Sequence, residues 1–151
     1  MNYQDWINLF GRDSEDKAVK DLLAERGVMK VPPIKKDHLN TRVPLDDSML
    51  IFGAAELFPS RSSGGDGACV LSALVLPLKG YKWGEYKGEL PHQLKPTDTQ
   101  KALRKRFGKP RECDEDFYWD EWVIDGLDLR VTYAEDYKSL AAVSLTLPTE
   151  V

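Results

Sequence analysis

Asp125 and Gly126 stand between two strand-like stretches, the ring-rich 117–124 and the alternating 127–133, and this pattern limits the fold more than any other part of the chain. A two-residue Asp-Gly loop readily supplies the two left-handed positions of a tight antiparallel hairpin. In the second stretch Leu127, Leu129, Val131 and Tyr133 alternate with Asp128, Arg130 and Thr132, which predicts one apolar and one polar face. A turn through Glu135 and Asp136 leads to a last strand over 139–147, ended by Pro148. Three antiparallel strands with one apolar face need a cover, and the sequence offers helices for it.

Thr97 followed by Gln100 forms a capping-box pattern; Ala102, Leu103, Arg106 and Phe107 supply a packing stripe, and Gly108 and Pro110 stop the helix. Nearer the N-terminus, Tyr3, Trp6, Ile7 and Phe10 share a helical face that ends at Gly11. A second helix is expected over 14–26, with Asp13 and Ser14 as caps, Ala18, Val19, Leu22 and Leu23 as its stripe, and Gly27 as terminator. The Pro-rich, charged stretch 28–47 reads as a long connection with one extended piece over 39–43, followed by strands over 48–58 and 68–78. Gly80, Gly84, Gly88 and Pro91 punctuate a connector that carries Tyr81, Trp83 and Tyr86.

The expected fold is α+β: an antiparallel sheet with helices packed on one face. A single domain spans 1–151, and its two parts, 1–79 and 88–151 joined by 80–87, share the order helix, connection, strand, turn, terminal strand. Leu71, Ala73, Leu74, Leu76 and Leu78 align with Leu140, Ala142, Val143, Leu145 and Leu147 at a constant spacing of 69 residues, the pattern a duplicated helix-plus-hairpin unit would leave. Ordinary recurrence between two α+β halves explains the same matches equally well.

Chemistry-bearing residues are sparse. His38 and His92 are the two imidazoles, without triad or metal-ligand spacing, and both read as solvated structural residues. Cys113 lies among Glu112, Asp114, Glu115 and Asp116, whose charge disfavours a thiolate; Cys69, in an apolar run, reads as a reduced core residue. Gly64, Gly65 and Gly67 precede a strand rather than a helix and lack the Lys and Ser/Thr of a phosphate loop. Asp114, Glu115, Asp116, Asp120 and Glu121 lack the alternating donors and central glycine of a calcium loop. These readings predict no enzyme, cofactor or metal. The 151 residues carry a net charge of −4, which argues against a general nucleic-acid binder, and no stretch has the length of a membrane span or the pattern of a signal peptide, so a cytoplasmic location is expected.

Charge is sharply segregated in the second half. Residues 95–111 hold seven bases and one acid, whereas 112–128 hold eight acids and no base. Part of this contrast is expected to be spent internally, with a basic helix lying over an acidic hairpin. The acids are interrupted by Phe117, Tyr118, Trp119 and Trp122, and rings among carboxylates suit the anchors and steering charges of a protein interface. Alternation places Phe117, Trp119 and Glu121 opposite Tyr118, Asp120 and Trp122, with Trp122 and Ile124 expected in the core. The expected partner-binding residues are Asp114, Glu115, Asp116, Tyr118, Trp119, Asp120, Glu121, Trp83 and Tyr86.

From Gly88-Glu89-Leu90-Pro91, through Thr97 to Phe107-Gly108-Lys109-Pro110, then Asp120-Glu121-Trp122 and 127–133, the chain resembles small bacterial immunity proteins of polymorphic-toxin and type VI secretion systems. The helix and meander are also similar to a small outer-membrane assembly lipoprotein fold, and a tandem of them to the beta-lactamase inhibitor protein. The resemblance covers about 60 residues by motif and the first half by architecture alone. It implies an inhibitor that occludes the active site of a cognate toxin, one with a basic cleft, and involves neither nucleic acid nor membrane. An adaptor or chaperone-like subunit of a secretion or envelope assembly is the alternative.

Overall fold

The computed structural model describes residues 3–61, 68–79 and 84–151. Helices α1 (Tyr3–Ile7) and α2 (Lys17–Glu25) precede strands β1 (Asn40–Pro44), β2 (Met49–Ala54) and β3 (Cys69–Pro77). Helix α3 (Gln100–Phe107) precedes β4 (Glu112–Asp114), β5 (Trp119–Ile124), β6 (Leu127–Tyr133) and β7 (Leu140–Thr146). The seven strands make one antiparallel sheet in the order β1-β2-β3-β7-β6-β5-β4. The protein is therefore α+β, as expected. The terminal strands of the two parts meet at the centre of the sheet, where Val75 lies opposite Ser144.

Cross-strand neighbours share a face, so the register separates inside from outside. Val43, Leu50, Leu74, Leu145, Leu129 and Trp122 follow one another across six strands, all of them buried. Trp6, Val19, Leu23, Leu90, Leu94 and Leu103 join them in one apolar cluster. The adjacent row, on the other face, runs Ile51, Ala73, Thr146, Asp128 and Val123, a mixture of small, polar and half-exposed groups. At one end of that outer face Phe58 packs so closely over Gly53 that a Cβ there would come 2.7 Å from its ring. The neighbouring C-terminal segment is tied down as the Glu150 amide donates to the Leu57 carbonyl at 2.9 Å.

Several boundaries differ from the sequence reading for local reasons. The strand expected over 48–58 ends at Ala54 and turns into a 3-10 segment, Ala55–Leu57, whose bend brings Phe58 onto the sheet. Helix α3 is capped by Thr99, not Thr97: the Thr99 hydroxyl accepts from the Ala102 amide at 3.1 Å. Asp98 instead accepts from the Lys95 amide, closing the preceding turn. Strand β4 escaped notice because three residues, Glu-Cys-Asp, carry no alternation. The Asp125-Gly126 turn is as expected, with φ of 54° and 80°.

Eight residues of α3 cannot hold a helix in isolation. Burial of Leu103 contributes about 2 kcal/mol, and the cap about 1 kcal/mol. Thr99→Ala should therefore lower unfolding stability by about 1 kcal/mol in urea titrations, whereas Thr97→Ala, at a side chain that caps nothing, should leave the midpoint unchanged.

Candidate interaction surface

The acidic stretch that the sequence offered as one binding surface is divided by the pleat of β5. Asp120 points to the helix-covered face and is fully buried there. Arg104 of α3 grips it with two hydrogen bonds, Nε to Oδ2 at 2.9 Å and Nη2 to Oδ1 at 2.7 Å, and the Tyr133 hydroxyl donates to Oδ2 at 3.0 Å. A carboxylate can be buried only when its lone pairs are met in this way. The hydrogen bonds it accepts, and after them its field, hold the Arg104 guanidinium even more firmly protonated than usual. Burial first, then the adjacent carboxylate, pushes the Tyr133 phenol well above its ordinary range.

Glu121 points the other way, onto the outer face, and is also buried, between Arg111 at 2.5 Å and Arg130 at 2.8 Å. Arg111 reaches on to Asp128 at 3.2 Å, and Arg130 lies over the Trp119 ring with its Cζ 3.8 Å from the centroid. Asp120 and Glu121 are thus withdrawn from the expected partner-binding set, because each is consumed by arginine of the preceding basic stretch or of β6. The internal pairing expected between helix and hairpin is made by Arg104, and Arg111, beyond the end of α3, adds a second link to the hairpin.

Asp114 is spent locally as well: its Oδ1 accepts from the Asp116 and Phe117 amides at 2.8 and 3.1 Å. This fixes a turn that leaves Glu115, Asp116 and Phe117 exposed, Phe117 to 70%. Tyr118 is not presented to solvent as expected. With φ of 62° it turns inward and its ring meets the Tyr137 ring edge-on at 5.6 Å. Trp119 remains half-buried on the outer face, under Arg130. Tyr86 is buried, its hydroxyl donating to the Glu89 carbonyl at 2.8 Å; Trp83 and Tyr81 lie outside the described residues, as do Gly64, Gly65 and Gly67.

The Phe117 turn precedes β5, its Glu115 carbonyl accepting from the Tyr137 hydroxyl at 3.4 Å, while the Trp119–Arg130 stack lies on the outer sheet face. That face holds a shallow hollow of about 340 Å³ floored by Ile51, Ala73, Val75 and Ser144 and walled by Glu121, Asp128 and Arg130. Phe117 was not among the expected partner-binding residues; the signal for it was its place three residues after Asp114, a residue suited to an Asx turn whose side chain accepts from the amides that follow.

Burial raises the Cys69 thiol, and the Asp13 and Glu15 carboxylates push it the same way against a Ser14 hydrogen bond. His92 is not solvated as expected: it is half-buried, 6.4 Å from the Phe107 ring, and burial lowers its pKa. His38 is exposed. Among the described residues no three His, Cys, Asp or Glu side chains are grouped to hold a metal ion, and no helix is long and apolar enough to cross a membrane. Neither a known protein family, nor a curated protein, nor a solved structure matches the chain.

Removing one member of a buried ion pair strands the other. Arg104→Ala should accordingly cost about 3 kcal/mol in chemical denaturation, and Arg104→Lys, which cannot form the fork, should recover only part of it. Tyr133 gives a pH signature. Its folded-state pKa is raised above the unfolded one, so its contribution is complete below about pH 10 and is lost as pH climbs above that value. Thermal melts of Tyr133→Phe between pH 9 and pH 11 (roughly the range over which phenols ionise) should show a shallower alkaline decline than the parent protein.

Proposed function

We propose that the chain is a cytoplasmic immunity-type inhibitor that neutralises a protein toxin by covering its basic active-site cleft, acting by contact and without chemistry of its own. The observation that carries this reading is the Asp114–Phe117 turn: a rigidly fixed loop that presents an exposed phenyl ring beside two unspent carboxylates. An aromatic side chain of this kind supplies an anchor for burial, and flanking acids steer a cationic partner and set its orientation. A stable complex needs more area than the turn supplies, and Trp119, two residues on and stacked with Arg130, adds a second ring to the contact. Asp120 and Glu121 take no part in contact here; they hold the scaffold.

The reading makes a division of labour between neighbouring rings. Phe117→Ala should weaken a pull-down with the toxin by about 2 kcal/mol, about 30-fold in Kd, with the melting temperature unchanged. Tyr118→Ala, which removes the ring packed on Tyr137, should lower the melting temperature instead. The decisive experiment is co-expression with the product of the neighbouring gene in a sensitive strain. Growth rescued by the parent chain and lost with Phe117→Ala combined with Glu115→Lys and Asp116→Lys supports the inhibitor. Stable binding without rescue would instead favour an adaptor.

A further inference from the structure

Strand β5 has six residues and its outer neighbour β4 only three. β4 covers Trp119, Asp120 and Glu121 and stops, so Trp122, Val123 and Ile124 form a bare edge. The hairpin decides which backbone groups that edge offers. A two-residue turn makes Ile124 and Leu127 a mutually hydrogen-bonded pair, so the backbone of Ile124 and Trp122 points to β6 and that of Val123 and Glu121 points outward. The Glu121 carbonyl follows this rule, accepting from the Arg111 amide at 2.8 Å. One step further along, the Val123 N–H and C=O point outward with no strand beside them.

Against this edge lies a hollow of about 580 Å³, lined by Trp122 and Val123 on the strand side and by Arg106, Phe107, Lys109 and Arg111 on the other. Its charged lining is wholly cationic. Arg111 is engaged by Glu121 and Asp128, but Arg106 and Lys109 have no acidic partner among the described residues, in a chain whose net charge is −4. Arg106 lies over the Phe107 ring, Cζ 4.7 Å from the centroid, with its guanidinium exposed.

The opposite edge of the sheet shows what a guarded edge looks like in the same molecule. In the β1–β2 hairpin the Leu45 amide donates to the Ser48 carbonyl at 2.8 Å, which places Pro44 in the outward-pointing position. Proline offers no donor there, and Arg42, the next outward residue, is exposed and charged, both recognised defences against strand addition. The bare part of β5 has neither defence. Val123 is apolar and 51% exposed.

We propose that the open edge of β5 takes up, as an added strand, an extended acidic segment of a partner protein, its backbone pairing with Val123 and its carboxylates meeting Arg106 and Lys109. Backbone pairing would supply the affinity and the cations the preference for acidic sequence. The site lies apart from the Phe117 turn and does not depend on the inhibitor reading.

The probe is a blocked heptapeptide, Glu-Val-Glu-Thr-Glu-Val-Glu, titrated into the 15N-labelled full chain to about 2 mM, the range in which single-strand additions are detected. The Val123 amide resonance should shift and exchange more slowly with solvent. Arg106→Glu with Lys109→Glu should weaken binding at least about tenfold, while Glu115→Lys with Asp116→Lys should not weaken it. Val123→Pro deletes a donor that β6 does not use and should abolish binding; should that variant fail to fold, a peptide N-methylated at alternate residues tests the same hydrogen bonds on the parent protein. An unmoved Val123 amide overturns the proposal. Equal binding of the N-methylated peptide, or of a heptathymidylate at the same residues, reduces the site to a general anion patch and also overturns it.

Discussion

The buried Asp120 carboxylate is the constraint around which the second half is arranged. It sits on the apolar face of the sheet, where an unpaired charge would cost several kcal/mol, so α3 must lie where Arg104 can reach it and β6 must bring the Tyr133 hydroxyl to the same oxygen. Leu103, one residue before Arg104, enters the core from the same turn of helix. Helix position, strand pairing and ring orientation are thereby coupled through one side chain. An apolar residue at this point could fill the space, but it would not fix which turn of α3 faces which residue of β5.

The same economy engages half of the eight acids in 112–128. Asp114 satisfies two amides, Asp120 one arginine and one phenol, Glu121 two arginines, and Asp128 shares one of those arginines. Among the described residues Glu112, Glu115, Asp116 and Asp125 on the acidic side, and Lys95, Lys101, Lys105, Arg106 and Lys109 on the basic side, make no such pairing.

Much of the fold was legible because periodicity and turn chemistry act over a few residues. The alternation of Leu127 to Tyr133, the Asp125-Gly126 turn and the apolar run of β3 each state their structure locally, and the helix-on-sheet class follows from them. The functional surface was less legible because exposure depends on partners far along the chain. Nothing near Asp120 announces that Arg104, on another element, will claim it, and nothing near Tyr118 announces the left-handed backbone that turns its ring toward Tyr137. The bare edge at Val123 became visible only once the lengths of β4 and β5 could be compared.

The central seam of the sheet bears on how the chain must be assembled. β3 is an almost unbroken apolar strand, and one of its two edges is completed by β7, about seventy residues later, with the remainder held by the 11–14 segment. During vectorial synthesis the first half therefore waits with a sticky, unpaired flank. Whatever shields that flank in the interval, whether rapid production of the remainder or a chaperone, governs the yield of native protein, and the first half is ill suited to life as a separate unit.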